Sequence, residues 1–349
     1  MIRSTKKDIR GLSKEELQDF FVAQDVPSFR GNQVYQWLWQ KGAHHFDDMT
    51  NLSLNHRALL AENFVINHIA IDQQQKSNDG TIKNAVTLHD NCVVESVLIP
   101  TPNRTTACVS SQVGCSLDCS FCATASLKRM RNLNIDEIYD QVVAMDQQSK
   151  LYYKRPLSNI VFMGMGEPLM NYKNVTGAID KITSQEGLGM ASKRITLSTS
   201  GIPKLIRRMA DERVKFGLAV SLHSARQEVR EKIMPFARKF PLEELKDALM
   251  HWYSQTKKRV TFEYIVWKGF NDQKEDIAAL VRFCKTIPSK VNIIEYNPVE
   301  GNSFEQADAS IVDMYTRALD NIGVKATFRR SRGRDIDAAC GQLANKQKD

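Results

Sequence analysis

Three of the seven cysteines stand in Gly-Cys-Ser-Leu-Asp-Cys-Ser-Phe-Cys, residues 114–122. Cys115, Cys119 and Cys122 are spaced C-x3-C-x2-C, a pattern that seven scattered thiols in 349 residues would give only about 0.003 times. Three thiolates can hold a 4Fe-4S cube through three of its irons, leaving the fourth open to a ligand that is not protein. A structural zinc ion asks for four ligands, usually as paired C-x2-C knuckles, and no fourth ligand lies nearby in the sequence. The spacing favours the cube over zinc or a chance grouping of buried cysteines.

Other residues invite chemistry less specifically. Gly-Met-Gly-Glu-Pro, residues 164–168, joins a strand-like run to a helix-like one. Glycines let a backbone approach a ligand closely and Pro168 suits a first helical turn, but an ordinary strand-to-helix turn explains the same residues. Cys340 lies among small residues in Asp-Ala-Ala-Cys-Gly, and Cys108 lies in a strand-like run seven residues before Cys115. Cys92, in another strand, and Cys284, on an apolar helix face with Val281 and Phe283, read as core thiols.

The triplet, with Phe121 in its second gap, resembles the radical S-adenosylmethionine (SAM) enzymes. The run from Glu95 through Cys122, Gly-Met-Gly-Glu-Pro, and Asp-Ala-Ala-Cys-Gly-Gln-Leu (337–343) narrow the likeness. Over essentially its whole length the chain is similar to the RNA adenine-C2 methyltransferases that act on 23S rRNA and tRNA. The resemblance implies that Cys115, Cys119 and Cys122 hold a 4Fe-4S cluster whose open iron takes the amino and carboxylate groups of SAM. Gly166 and Glu167 would then bind the methionine end, Glu167 receiving the ammonium. Ser198, Ser221, Leu222, His223 and Asn297 match the family's remaining SAM contacts.

Carbon 2 of adenine has no nucleophilic lone pair, so the cofactor must supply radical chemistry while the protein positions and shields it. The resemblance implies two SAM molecules per turnover. One methylates Cys340 on sulfur; the other, cleaved reductively at the cluster, gives a 5′-deoxyadenosyl radical that takes hydrogen from that methyl. The carbon radical adds to adenine, and Glu95 takes the proton from carbon 2. Cys108 then attacks the Cys340 sulfur, forming a disulfide and releasing the methylated base. The implied partners are 23S rRNA, tRNA and a reducing flavoprotein. Related carbon-8 methyltransferases share the cluster and both mechanistic cysteines, but their pattern resembles Gly-Met-Gly-Glu-Ala where this chain has Pro168. The run Thr196–Gly201 also looks like the C2 branch. From another class, a zinc-stabilised RNA-binding protein without catalysis would share the cysteines and the charge.

These residues need a scaffold. From Thr105 the chain alternates strand and helix, with strands expected at 105–110, 159–163, 194–197, 216–220, 259–266 and 291–296. Six such units imply an α/β fold, a parallel sheet curled into a partial (β/α)6 TIM-like barrel, with a last strand at 324–329. Chemistry in parallel barrels gathers at the carboxyl ends of strands, and five unusual polar or glycine-rich turns fall on that rim. Residues 105–349 form this barrel with a C-terminal cysteine loop, and the tail beyond Leu343 is expected to fray. Before it, residues 65–104 change to period two, at 66–73, 82–88 and 92–99, an antiparallel meander that delivers Glu95. Residues 1–64 read as three short helices, the first opened by a Ser13–Glu16 capping box. Arg30, Gln33, Gln36 and Lys41 lie beside aromatic residues there, which suits RNA contact for the module, although Tyr35, Trp37 and Leu38 read equally as its core.

Composition excludes little else. Net charge is +8, which favours a polyanionic partner, and basic runs at 128–131, 238–239, 257–258 and 329–334 are candidate phosphate contacts. The charged start lacks a signal-peptide core, no run of about eighteen apolar residues would span a membrane, and the thiols are odd in number. A cytoplasmic monomer is expected.

Overall fold

A computed structural model of the chain describes residues 6–345. Its main sheet comprises β1 (Ala70–Lys76), β2 (Ile82–Thr87), β3 (Val93–Thr101), β4 (Arg104–Cys108), β5 (Asn159–Phe162), β6 (Ile195–Thr199), β7 (Gly217–Ser221), β8 (Val260–Ile265), β9 (Ser289–Ile294) and β10 (Ala326–Arg329). These ten strands lie side by side in chain order, from β1 at one edge to β10 at the other. The pairs from β1 to β4 are antiparallel and those from β4 to β10 parallel, so the expected barrel and meander share one open sheet. A two-residue turn, Pro102–Asn103, joins them, since Thr101 pairs directly with Arg104.

The first strand departs from expectation. Pairing begins at Ala70, opposite Thr87, rather than at Ile66. Ile66 and Ile69 still pack against the core, so their apolar spacing reported burial and not a ladder. Partners, not periodicity, set where an edge strand starts.

Helices cover the sheet: α1 (Lys14–Val22), α2 (Phe29–Trp39), α3 (Leu54–Asn63), α4 (Ile135–Tyr153), α5 (Tyr172–Thr183), α6 (Pro203–Asp211), α7 (Gln227–Ile233), α8 (Leu242–Thr256), α9 (Lys274–Thr286) and α10 (Ala309–Asp320). The expected capping box forms: Ser13 Oγ accepts from the Glu16 N–H at 3.1 Å, and Glu16 returns a carboxylate oxygen to the Ser13 N–H at 2.6 Å. Each parallel strand but the last, β10, feeds a helix that returns its apolar face to the sheet, the geometry that makes such connections right-handed.

Helix α2 docks on the outside of α4 and α5, with α1 packed against it. Trp39 is fully buried, its ring edge-on to Tyr139 at 5.2 Å. Arg10 makes a two-pronged bond to Asp140, at 2.6 and 2.8 Å. Tyr35 and Leu38 are core, as the simpler reading had it. Arg30 spends its guanidinium on Gln33 and the Asn51 carbonyl, and Lys41 lies over the Trp37 ring.

The tail does not fray where it is described. Ala344 and Asn345 donate their backbone N–H groups to Glu95 Oε2 at 2.8 and 3.2 Å. Residues 346–349 of that tail, like the first five of the module, lie outside the described residues. Among the described residues, no helix is long and apolar enough to cross a membrane.

Candidate active site

Beyond β4 the chain forms a clip, Gln112–Val113 paired antiparallel with Arg131–Asn132, and the cysteine triplet lies in the loop it closes. Gly114 holds the legs together: its φ is +74°, and a Cβ there would sit 2.4 Å from the Lys128 carbonyl oxygen. Cys115, Cys119, Cys122, Gly166, Glu167, Ser198, Ser221, His223, Asn297 and Cys340 all line one cavity at the carboxyl ends of the strands. Ten of the thirteen residues singled out from sequence thus converge. Leu222 is buried in the wall, donating its N–H to the Glu263 carbonyl, while Cys108 and Glu95 face elsewhere.

Burial pushes the Cys115 thiol up to about 11, Cys122 upward and Cys119 far upward. Three thiols held that way become thiolate ligands only beside a strongly cationic centre. Among the described residues no three His, Cys, Asp or Glu side chains come close enough to share a single metal ion. A cube asks for no such closeness, because each thiolate binds its own iron. Glu263 Oε2, Tyr296 Oη and Asn297 Oδ1 are buried without a partner, and all three residues line the same cavity. These residues fit a cluster together with a polar, zwitterionic ligand.

The glycines of residues 164–168 serve packing more than ligand approach. A Cβ on Gly164 would meet Ser110 Oγ and the Val109 carbonyl at 2.7 Å. At Gly166, where φ is +93°, it would meet Gln112 Cβ at 2.5 Å. Their bareness seats the turn against residues 109–112, and Gln112 Oε1 then accepts the Glu167 N–H at 2.8 Å. Glu167 is 3% exposed. Its Oε2 accepts from the Ser200 N–H at 2.8 Å and from Ser200 Oγ at 2.6 Å, and its Oε1 from the Leu169 N–H at 3.0 Å. Burial raises its pKa and these bonds oppose the rise, which leaves a positioned carboxyl for an ammonium.

Three residues of this frame were not singled out from the sequence: Gln112, Ser200 and Arg230. Arg230, on α7, is fully buried and ties strand ends together through the Ser200 carbonyl at 2.6 Å, Leu222 at 3.2 Å and Ser221 at 3.5 Å. Burial lowers it to about 10, against the pull of neighbouring Cys119. Nothing in Glu-Val-Arg-Glu-Lys separates this arginine from a surface cation. His223 has φ of +54°, and its Nδ1 accepts the Ile265 N–H at 3.2 Å. Burial, aided by Arg230, lowers its pKa to about 3, so the ring is neutral beside Phe121.

Cys340 reaches the cavity on a strap pinned from three sides. Asn297 Nδ2 donates to the Cys340 carbonyl at 3.2 Å, the Ala123 N–H to the Gly341 carbonyl at 2.7 Å, and Thr124 Oγ1 to the Leu343 carbonyl at 2.7 Å. Cys108 is not in this cavity. It opens on a second one that Cys340 also lines, and burial pushes it up to about 12. All seven cysteines are free thiols. Glu95 shares the sheet face of Cys108 by antiparallel parity, but the strap's end covers it, and Lys83 Nζ lies 3.3 Å from its Oε1. Cys92 is half-buried and Cys284 buried, both away from the two cavities. Of the basic runs, Arg131 is spent on Asp90 and Glu137, and Lys258 on the Val214 and Phe216 carbonyls.

A partial parallel barrel with three cysteines and a buried glutamate at its carboxyl rim defines a radical SAM enzyme, and residues 109–283 match the family model for the radical SAM superfamily. Residues 7–66 match the ribosomal RNA large subunit methyltransferase N-terminal domain. The chain is 67% identical over 342 residues to a probable dual-specificity RNA methyltransferase RlmN of Flavobacterium johnsoniae, covering 98% of each. It is 41% identical over 342 residues to the dual-specificity RNA methyltransferase RlmN of Geotalea uraniireducens, covering 98% of this chain and 97% of that one. A radical SAM methyltransferase from Sphaerobacter thermophilus superposes with a TM-score of 0.90 at 37% identity, covering 97% and 99% of the two chains. The chain belongs to the RlmN family of dual-specificity RNA methyltransferases. It is a radical SAM RNA methyltransferase, and membership brings a 4Fe-4S cluster and SAM.

Proposed function

We propose that the chain methylates carbon 2 of adenosine 2503 in 23S rRNA and of adenosine 37 in tRNAs, using two SAM molecules per turnover and a methyl-cysteine at Cys340. The observation that carries this reading is Cys340 itself, a thiol pinned in the wall of the cavity that the three spaced cysteines and Glu167 also line. Direct transfer from SAM to a nucleophilic RNA atom needs no methyl-carrying thiol there, whereas carbon 2 of adenine, which is not a nucleophile, does.

In this reading Cys115, Cys119 and Cys122 hold the cluster, and Gly166, Glu167, Ser198, Ser221, Leu222, His223 and Asn297 hold SAM. Cluster and SAM, when bound, supply the radical that activates the methyl group. The chain's own part is to place and to resolve. Glu167 fixes the ammonium, Asn297 steadies the Cys340 strap, and neutral His223 brings no second cation to the site. Cys108, as thiolate, attacks the Cys340 sulfur, closing a disulfide as the carbon–sulfur bond breaks; that bond's electron pair leaves with the product carbon, which takes a proton to become the methyl group. Glu95 takes the carbon-2 proton once the strap's end lifts from it. Residues 1–64 add RNA contact, and a reducing flavoprotein of the cytoplasm supplies electrons to a monomer.

The test is methylation of transcribed rRNA and tRNA fragments by anaerobically reconstituted protein with deuteromethyl SAM and a reductant. Nucleoside mass spectrometry should give 2-methyladenosine from both RNAs. A carbon-8 product, or none, would refute the reading.

A further inference from the structure

Glu95 is gripped from two sides. Ala85 on β2 stands directly opposite it on β3, and Lys83, two residues from Ala85 and on the same face, is its diagonal neighbour. Lys83 Nζ lies 3.3 Å from Glu95 Oε1, and the two residues are 6% and 3% exposed. Among the described residues neither has another ion-pair partner. The other oxygen, Oε2, is held by the backbone N–H groups of Ala344 and Asn345, and Asn345 Nδ2 donates to the Val93 carbonyl at 2.7 Å. One grip comes from the sheet and the other from the end of the strap.

An ion pair that served packing alone would be sealed. This one borders a cavity of about 150 Å³, lined in part by Gln73, Gln75, Lys83, Ala85, Glu95 and Asn345. Gln75 Oε1 and Asn345 Oδ1 are buried there without a partner. A single water needs only about 10–15 Å³, and buried acceptors call for donors, so the space suits several waters beside the carboxylate. When the strap's end lifts, Oε2 loses both of its N–H donors. A buried carboxylate with no partner at all would carry an uncompensated charge, which is strongly unfavourable. Lys83, fixed on the sheet, stays with Oε1.

We propose that Lys83 is the positioning residue for Glu95: its ammonium holds Oε1 and the negative charge in place, while Oε2, freed by the strap's end, meets the hydrogen on carbon 2. The proposal rests on the reading of Glu95 as the base. In that step the carbon–hydrogen bond breaks, its electron pair stays with the ring, and the proton forms an O–H bond on Glu95 Oε2. Water in the cavity then takes the proton on and restores the carboxylate. Lys83 stays charged throughout and moves no proton itself.

The experiment uses anaerobic holoenzyme in which Cys340 is first methylated by SAM without RNA, a state checked by protein mass. RNA, reductant and SAM are then added for one turnover, and 5′-deoxyadenosine, 2-methyladenosine and protein–RNA adduct are measured. Lys83→Met should form 5′-deoxyadenosine within about twofold of wild type yet release 2-methyladenosine roughly tenfold or more slowly, with RNA held on Cys340 meanwhile. Deuterium on carbon 2 should slow this variant more than it slows wild type. Glu95→Gln should stall at the same point. Lys83→Met combined with Glu95→Gln should be no slower than Glu95→Gln alone, because a residue that acts through Glu95 then has nothing left to position. Release at the wild-type rate from Lys83→Met, an equal loss of 5′-deoxyadenosine, or losses that add in the double variant would overturn the role of Lys83. Wild-type release from Glu95→Gln would instead overturn the reading of Glu95 as the base.

Discussion

The cysteines divide by neighbourhood. Cys108 and Cys340 open on a shared cavity that Arg329 also lines, whereas Cys284 is sealed against apolar side chains and Cys92 sits beside Asp90. Cys108→Ala and Cys340→Ala should each abolish turnover of methylated RNA, while Cys92→Ala and Cys284→Ala should retain it, the latter at a stability cost of about 1 kcal/mol. A Cys284 variant without activity despite normal folding would contradict the division. His223 carries a different expectation. Its folded pKa, near 3, lies below the ordinary 6.5, so the unfolded chain binds the proton more readily. Its contribution is then whole above about pH 6.5 and declines as pH falls toward 3. Thermal midpoints of the wild type should fall more steeply between pH 6.5 and 4.5 than those of His223→Asn, which tolerates the left-handed backbone. Parallel curves would contradict this.

At the scale of elements, the site depends on turns that pack against one another more than on any one loop. Gly166→Ala adds a Cβ 2.5 Å from Gln112 at a φ of +93°, and should cost about 1–3 kcal/mol while disturbing Glu167. Denaturant titration and SAM binding check both effects; an unchanged variant would mean the turn is not held by Gln112. The same packing explains what could be read in advance. The triplet, the parallel strand order and α2 were legible because spacing and period are local. Gln112, Ser200 and Arg230 were not, because their roles come from contacts between turns far apart in sequence. Glu263 did carry a signal, a lone carboxylate inside Val-Thr-Phe-Glu-Tyr-Ile, a strand buried along its whole length. The covering of Glu95 by residues 344–345 had none, since a polar tail looks the same whether it is pinned or loose.

Across the whole molecule, an accessory helical module and a catalytic barrel are joined by a dry contact. Arg10 and Asp140 are 4% and 14% exposed, and Trp39 lies beneath them. Asp140→Ala takes the two-pronged partner from a buried guanidinium, leaving it only the weaker pull of Asp136 and Asp8, and should cost roughly 3 kcal/mol, read by denaturant unfolding. A loss below about 1 kcal/mol would mean that the Arg10–Asp140 pair does not hold the contact. Cys340 lines both the cavity at the carboxyl rim and the second one beside it, and the proposed function makes it the methyl carrier. That carrier role is open to direct measurement. Cys340 is first methylated with deuteromethyl SAM in the absence of RNA; excess SAM is removed, and RNA, reductant and unlabelled SAM are added for a single turnover. The expected result is labelled 2-methyladenosine together with protein that has lost its label. Product carrying only the unlabelled methyl, with the label still on Cys340, would contradict the account.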